Sequence, residues 1–271
     1  MTSTNIYAFS TRTDEERRLQ AQSASFDPLT QRLFNEVGLA PGMRVLDLGC
    51  GVGNVSRLAA AMVGPDGSVL GVDRDPLAIE RSQRLTAAEH VSFQQADVNE
   101  LATQVGGEFD AVVGRLVLPY VVDAAAVLRQ AASLLRPGGL LCVQEPDLTY
   151  DWVSTPTPLW DETKSWFLET LTRLGADPRA GTTLFESFRA AGLPDPQLVL
   201  EAPVGGGPWS QAYGWAGGAI AAWPVAQQLG LLPAGADPDT LEERLEVEIA
   251  EHGGSVIGPP MFGAWVTLPN G

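Results

Sequence analysis

The chain has 271 residues, and its 33 acidic and 17 basic side chains give a formal net charge of −16 at pH 7. An enzyme that acts on nucleic acid normally has a basic face that attracts the phosphate backbone, so this balance argues against nucleic acid and favours a small-molecule substrate. No apolar run approaches the length of a membrane span, and the polar N-terminus has no signal-peptide core. We therefore expect a cytoplasmic protein without a membrane partner.

Two helices are predicted ahead of the first strand. Thr13 and Glu16 have the spacing of a capping box, which indicates a helix over residues 14–25. Asp27 and Pro28 are typical of the start of a second helix. The sequence therefore predicts a helical segment before the sheet begins.

The most informative motif follows the first predicted strand. Asp47 interrupts a hydrophobic run, and Gly49, Gly51 and Gly53 then alternate with other residues. Glycines allow a sharp turn, and they let a ligand lie against bare backbone amides where a side chain would collide. Open α/β sheets bind nucleotide-like ligands in a loop of this kind, at the carboxyl end of a buried parallel strand. The motif therefore predicts a nucleotide-like ligand.

Two further acids follow the next two predicted strands. The strand at residues 68–73 ends on Asp73, which lies 20 residues after Gly53. At this spacing an acid can accept hydrogen bonds from both ribose hydroxyls. The strand at residues 91–95 leads to Asp97, whose carboxylate, beside a backbone amide, can pair with adenine. Three successive strands would then each place one polar group along one cleft.

The alternation of strands and helices continues to the fifth strand, which predicts an α/β fold with a parallel sheet. Further strands are predicted at residues 109–113, 140–145, 197–204 and 261–268. Helices of the same pattern are predicted at residues 54–63, 76–88, 98–104, 123–135 and 183–192.

These features resemble the class I S-adenosylmethionine-dependent methyltransferases over roughly residues 40–145. The matching features are the glycine loop with Asp47, the acids Asp73 and Asp97, the fourth strand, and the turn at residues 135–139. The resemblance implies a Rossmann-like seven-stranded sheet of order 3-2-1-4-5-7-6, with strand 7 antiparallel. It also implies S-adenosylmethionine as cofactor, S-adenosylhomocysteine as product and a small-molecule acceptor.

The resemblance also divides the chain into four segments. Residues 1–38 would form lid helices, residues 39–147 the S-adenosylmethionine-binding core, and residues 148–181 a cap insertion. Residues 182–271 would complete the sheet and add a second helical cap segment at about residues 205–258. Cap helices are predicted at residues 158–174, 211–222 and 238–251.

The resemblance implies cofactor-binding residues in the loops after the first four strands, and these are Asp47, Gly49, Cys50, Gly51, Gly53, Asp73, Arg74, Asp97, Val98 and Arg115. Arg115 would lie at the floor of the cleft, where its guanidinium could form an ion pair with Asp47 or Glu145 or touch the cofactor. Tyr7 of the lid segment would contact the methionine end or the substrate. The alternative for Tyr7 is an aromatic anchor for the terminus.

The candidate catalytic residues follow the fourth and fifth strands. Glu145 and Asp147 are candidate bases, because the fifth strand ends beside the transferred methyl group in this fold. Tyr120 is a candidate for orienting the acceptor. The alternatives are a solvated loop carboxylate for each acid and a packing phenol for Tyr120. The few histidines and the acids have no metal-binding spacing, so we expect no metal ion.

All seven tryptophans come after residue 150, which suits an aromatic or apolar acceptor. The candidate substrate-binding residues are Trp152, Trp160, Tyr213, Trp215 and His252. The alternative is that the tryptophans pack the cap helices onto the sheet.

Two other functions share part of this pattern. An NAD(P)-dependent oxidoreductase also joins a glycine loop to a ribose acid, but Asn54 stands where its third glycine is required. Asp47 would also repel a pyrophosphate, whereas it would attract the α-ammonium of S-adenosylmethionine. A non-catalytic S-adenosylmethionine-binding protein is the second alternative. The sequence leaves O-, N- and C-methylation open.

Overall fold

The computed structural model of the protein describes residues 15–206 and 214–270, with side chains from residue 23 onward. The chain separates into two compact units. Of the described residues, the sheet unit contains 27–145, 180–200 and 262–270, and the helical unit contains 15–26, 146–179, 201–206 and 214–261. The predicted division into four segments stays a prediction.

Nine strands are found in the described parts of the chain, seven of them in one sheet. They are β1 (Arg44–Leu48), β2 (Ser68–Asp73), β3 (Val91–Gln95), β4 (Phe109–Arg115), β5 (Leu135–Pro146), β6 (Gln197–Glu201), β7 (Val204–Gly206), β8 (Ser255–Ile257) and β9 (Met261–Thr267). The large sheet has the order β3-β2-β1-β4-β5-β9-β6, and β7 pairs with β8 in an antiparallel ribbon.

The predicted sheet order is confirmed, because β9 takes the place of the seventh strand and the sheet contains an antiparallel strand. The pairs β1·β2, β2·β3, β1·β4 and β4·β5 are parallel. The predicted sixth strand is too long, because β6 ends at Glu201 and Val204 belongs to the separate ribbon.

The helices of the described residues are α1 (Glu15–Glu36), α2 (Asn54–Val63), α3 (Pro76–Leu85), α4 (Leu101–Gln104), α5 (Ala124–Ser133), α6 (Pro158–Arg173), α7 (Leu184–Ala190), α8 (Trp215–Gln228) and α9 (Leu241–Glu251). Short 3-10 helices lie at Val98–Glu100 and Leu118–Tyr120. None of the helices within residues 15–206 and 214–270 is both long enough and apolar enough to cross a membrane.

The prediction of two N-terminal helices is wrong, because α1 is one continuous helix with Pro28 inside it. Proline keeps helical φ and removes only one backbone donor, which packing can offset. Leu33 and Phe34 are almost fully buried in the sheet unit and hold this part of α1 in place. Asp27, predicted to cap a new helix, instead accepts a hydrogen bond from Arg115.

The central strands of the sheet are buried on both faces, which explains their continuous hydrophobic runs. Leu46 and Val112 belong to one hydrophobic cluster, whereas their chain neighbours Val45 and Val113 belong to the other. Successive side chains of a strand point to opposite faces, so these clusters lie on the two faces of the sheet. Asp47 therefore shares a face with Val45 and points to the side covered by α2.

Candidate active site

The glycine loop between β1 and α2 has the backbone conformation that the sequence predicted. Gly49, Gly51 and Gly53 have φ values of 56°, 53° and 82°, a region that residues with a side chain rarely adopt. A Cβ at Gly49 would lie 2.9 Å from Val117 Cγ2, and one at Gly53 would lie 2.9 Å from Phe93 Cζ. A Cβ at Gly51 would meet nothing within 4 Å, so open space borders the loop at that position.

Asp47 is fully buried, and only one of its two carboxylate oxygens accepts a hydrogen bond from a described residue. Ser56 donates a hydrogen bond to Oδ2 at 2.5 Å, while Oδ1 has no hydrogen-bond partner within the described residues. Burial raises the pKa of Asp47 to about 7, although Ser56 and the charge of Arg115 act in the opposite direction. A buried oxygen without a donor is destabilising, so this position favours a ligand that brings a cation or a donor.

Asp73, at the end of β2, is tied to the glycine loop. Its Oδ2 accepts a hydrogen bond from the Gly51 amide at 3.0 Å, and its Oδ1 accepts one from the Asp75 amide at 2.9 Å. Burial raises the pKa of Asp73 even though both amides favour the ionised form. Each carboxylate oxygen has a second lone pair, so Asp73 can hold the loop and still accept hydrogen bonds from ribose hydroxyls.

The residues predicted for the adenine and the outer edge of the cofactor are partly engaged in local structure. The carboxylate of Asp97 accepts hydrogen bonds from the backbone and side-chain amides of Asn99 at 2.9 and 2.7 Å, and so begins the 3-10 helix that contains Val98. The carbonyl of Arg74 accepts a hydrogen bond from Gln95 Nε2 at 3.1 Å. The cofactor roles of these residues stay predictions.

Arg115 has a different partner from the predicted ones. Its guanidinium lies 2.9 Å from Asp27 Oδ1 and donates to Thr30 Oγ1 at 2.7 Å, and Thr30 donates to Gln144 Oε1 at 2.6 Å. The predicted ion pair with Asp47 or Glu145 is therefore wrong. The reason is that α1 brings an acid 88 residues away in sequence to the end of β4, which no local pattern indicates.

We expect Arg115→Ala to lower the free energy of unfolding by about 2 kcal/mol, less than for a fully buried ion pair because the Asp27 side chain is 28% exposed. We also expect S-adenosylhomocysteine to bind about tenfold more weakly, since the variant loses a positive charge that favours ionised Asp47. Chemical denaturation and calorimetry measure the two effects. Arg136→Ala, which removes an exposed ion pair with Asp110, is the control, and equal affinity in both variants would contradict the prediction.

Glu145, the first candidate base, is fully buried and faces backbone amides. Its carboxylate accepts hydrogen bonds from Val117 N at 3.1 and 3.2 Å and from Leu118 N at 3.0 Å. Burial raises its pKa to about 8, against the opposing effect of these amides and of Arg115. Tyr120 is half-buried and ends the 3-10 helix that begins at Leu118.

Asp147 belongs to the helical unit and accepts hydrogen bonds from Thr149 N and Thr149 Oγ1, both at 2.7 Å. Nearby, the Tyr150 hydroxyl donates to the carbonyls of Ile257, at 2.8 Å, and of Gly258. Burial, followed by the charge of Asp147, raises the pKa of Tyr150. The neutral Tyr150 therefore links the residues that follow β5 to β8. The catalytic role of Asp147 stays a prediction.

The tryptophans predicted to line an acceptor pocket form the interior of the helical unit. The rings of Trp152 and Trp215 stack with centroids 3.7 Å apart and planes 14° from parallel. Their exposed fractions are 1% and 2%, and that of Trp160 is 1%. The indole N–H groups donate at 2.9 Å to the carbonyls of Leu148, Ile257 and Leu245, respectively. The structure thus favours packing over substrate contact for all three, because both the rings and the N–H groups already have partners.

The remaining predicted site residues are His252, Tyr7 and Tyr213. His252 is exposed at the C-terminal end of α9, where its Nδ1 lies 2.8 Å from the Glu248 carbonyl, so the structure does not place it in a pocket. Tyr7 and Tyr213 lie outside the described residues. No group of three or more His, Cys, Asp or Glu side chains in the described parts of the chain is arranged to hold a metal ion.

Cys50 and Cys142 are both buried, and neither forms a disulfide. Burial raises the pKa of each thiol and so favours its neutral form, which is a poor nucleophile. Cys50 contributes its backbone amide, which donates to the Val72 carbonyl at 2.8 Å and fixes the glycine loop to β2.

Several residues around the glycine loop and the end of β4 were not predicted from the sequence, namely Asp27, Thr30, Ser56, Val117 and Gln144. Ser56 has a detectable signal, because it lies in the first turn of the helix that follows the glycine loop, within reach of Asp47. The others reach the site through contacts with residues far away in the sequence, which no local pattern indicates.

The fold and the acids at the ends of β1 and β2 define a class I, Rossmann-like methyltransferase domain, a class that uses S-adenosylmethionine. The chain belongs to the methyltransferase domain family, whose model matches residues 39–185, more than half of the chain.

Individual relatives match less than half of the chain. Ubiquinone biosynthesis O-methyltransferase of Xanthomonas campestris pv. campestris is 38% identical over 101 residues, which are 37% of this chain and 42% of that protein. The protein of the same name from Pseudomonas aeruginosa is 35% identical over 115 residues, 42% of this chain and 48% of that protein. The chain thus spans less than half the length of these curated relatives.

A solved structure covers nearly the whole chain. The cyclopropane-fatty-acyl-phospholipid synthase-like protein from Lactobacillus casei has a TM-score of 0.57 at 18% identity, over 98% of this chain and 97% of that one. At this identity the similarity shows the fold alone.

Proposed function

We propose that the protein transfers the methyl group of S-adenosylmethionine to a small-molecule acceptor, and that nucleic acid is not its substrate. The observation that carries the proposal is the buried Asp47 Oδ1, which has no donor within the described residues and lies beside a glycine loop with open space at Gly51. The net charge of −16 supports the exclusion of nucleic acid.

The residues of the cleft fit the cofactor of the family. When bound, S-adenosylmethionine supplies an electrophilic methyl group on a sulfonium centre. Asp47 would attract the α-ammonium, the loop at Gly51 would lie against the cofactor without a side chain in between, and Asp73 would accept hydrogen bonds from the ribose hydroxyls. A pyrophosphate would meet the carboxylate of Asp47 instead, and that argues against a dinucleotide.

The protein's contribution to the reaction would be positioning and exclusion of water. A methyl group on sulfonium is already activated, so alignment of the acceptor supplies most of the acceleration. A hydroxyl acceptor must also lose a proton, and Asp147 and Tyr120 remain the candidates for accepting or orienting it. The matched relatives are named O-methyltransferases, so a hydroxyl group is the acceptor to test first.

The first experiment is titration calorimetry of the wild-type protein with S-adenosylhomocysteine and, in parallel, with NADH. We expect micromolar binding of S-adenosylhomocysteine and none of NADH. Binding of NADH alone would overturn the proposal in favour of an oxidoreductase.

The second experiment is transfer of a labelled methyl group from S-adenosylmethionine to a panel of phenols and catechols. Labelled product supports the enzyme. Tight binding of the cofactor without transfer to phenol, amine or carbon acceptors would favour the non-catalytic binding protein instead.

A further inference from the structure

The loop after β4 has a strained backbone. Leu116 has a φ of 61°, and within residues 15–206 and 214–270 it is the single residue with a side chain whose φ is positive. The left-handed conformation is unfavourable for leucine because its Cβ approaches the carbonyl oxygen that follows. Such a conformation persists only where the surrounding structure holds it.

Two consecutive residues of β5 hold this loop. The amide of Leu116 donates to the Gln144 carbonyl at 3.2 Å, and the next two amides, of Val117 and Leu118, donate to the carboxylate of Glu145 at 3.0–3.2 Å. If the Glu145 side chain moved away, these buried amides would lose their acceptors, which is unfavourable. Glu145 therefore fixes the two residues that follow the strained position.

The loop in turn contacts the glycine loop. A Cβ at Gly49 would lie 2.9 Å from Val117 Cγ2, and one at Gly114 would lie 3.5 Å from the same atom. The Val117 side chain is 6% exposed and packs between the end of β4 and the first glycine of the loop. Any shift of residues 116–118 would therefore remove the support behind Gly49.

We propose that Glu145 is a positioning residue for the cofactor loop and not the catalytic base: it holds Leu116 in its left-handed conformation, so that Val117 supports Gly49. The proposal rests on the proposed function, since it assigns a role within the same cofactor site. Both carboxylate oxygens of Glu145 accept hydrogen bonds from backbone amides, and the side chain is fully buried. Neither oxygen therefore faces a molecule that could receive the methyl group.

The test compares Glu145→Gln with a variant that removes the strain. Glutamine keeps the shape but replaces one acceptor oxygen with a donor, so we expect S-adenosylhomocysteine to bind about tenfold more weakly. Adding Leu116→Gly should restore the affinity to within about threefold, because glycine adopts positive φ without a steric penalty. Glu80→Gln, an exposed position on α3, is the matched control and should bind like the wild type.

A general base predicts a different pattern. Glu145→Gln would then keep the wild-type affinity and lose only turnover, and that result would overturn the proposal. A weakened variant that Leu116→Gly does not rescue would also overturn it. Val117→Ala leaves the carboxylate in place and should weaken binding about threefold. If Glu145→Gln does not fold, this third variant decides, and unchanged affinity in it counts against the proposal.

Hydrogen exchange separates this inference from the proposed function. In Glu145→Gln the amides of Gly49, Val117 and Leu118 should exchange about tenfold faster without any cofactor, and Leu116→Gly should reverse the effect at Gly49. If the wild type binds no S-adenosylhomocysteine, the proposed function fails, while the exchange rate at Gly49 still decides the inference. A Gly49 amide that exchanges equally in both proteins would overturn it.

Discussion

Asp73→Ala is expected to weaken S-adenosylhomocysteine binding by about a hundredfold or more. Two hydrogen bonds from ribose hydroxyls to a carboxylate contribute about 1.5–3 kcal/mol each. The variant also loses the 3.0 Å bond from the Gly51 amide, which fixes the glycine loop. Asp73→Asn keeps one acceptor oxygen and should therefore lose less affinity than alanine does. Calorimetry at constant pH measures all three proteins.

The control for this prediction is Asp75→Ala. Asp75 is the N-cap of α3 and accepts a hydrogen bond from Leu77 N at 2.9 Å, so its loss should lower the free energy of unfolding by about 1 kcal/mol without changing affinity. Comparing the affinities of the two variants therefore distinguishes a general loosening of the turn between β2 and α3 from the loss of a contact with the ligand. Equal affinities of Asp73→Ala and Asp75→Ala would show that Asp73 does not touch the cofactor.

The sheet was predictable because its signals are local. Each central strand is buried on both faces, so it has a short hydrophobic run, and the glycine loop and the acids at the strand ends lie within a few residues of those runs. The bounds predicted for α2 agree with the structure because Gly53 and Gly64 border it on both sides. These features need no knowledge of distant contacts.

The wrong predictions concern residues whose local sequence pattern indicates one role, while contacts with distant parts of the chain give them another. Asp27 and Pro28 are typical of a helix start, but tertiary packing continues α1 through them, and Asp27 pairs with Arg115. Thr183 likewise lies at the N-cap of α7, a position that threonine favours, without making a side-chain cap bond. A sequence pattern shows what a residue can do locally, and the long-range partner decides what it does.

The candidate site shows the same division. Asp47 and Asp73 were predictable from their distance to the glycine loop, whereas the amide partners of Glu145 lie 27 and 28 residues earlier in the chain. The tryptophans were predicted from their position after residue 150, which cannot distinguish a ring that lines a pocket from one that packs a core. The stacked pair Trp152 and Trp215 is of the second kind.

Asp47→Asn is expected to stabilise the fold while it weakens the cofactor site. Burial raises the pKa of Asp47 from 3.8 to about 7, so the folded state holds an extra proton between these values, and its stability falls as the pH rises through that window. Asparagine does not ionise, so at pH 8 we expect a gain of about 1–2 kcal/mol. Raising the pKa of Asp47 from 3.8 to about 7 costs roughly 4 kcal/mol of stability. The expected gain is smaller than this cost because the new buried amide also lacks a hydrogen-bond partner. Denaturation at pH 4 and pH 8 measures the change, which should become a loss of about 2 kcal/mol at pH 4, because folded Asp47 is then protonated and only the cost of the buried amide remains.

Binding should change in the opposite direction. An α-ammonium at Oδ1 favours ionised Asp47, so at pH 6, below its pKa of about 7, binding to the wild type should release close to one proton. Affinity should then rise by about fivefold between pH 6 and pH 7, as the ionised fraction of Asp47 increases. Asp47→Asn should bind about thirtyfold more weakly at pH 7.5 and release no proton at pH 6. Calorimetry in two buffers of different ionisation enthalpy measures the release. Equal proton release by both proteins would show that the ammonium does not bind at Asp47. The buried carboxylate of Asp47 would then lower the stability of the fold without contributing to binding, whereas we expect the protein to retain it for the cofactor at the expense of stability.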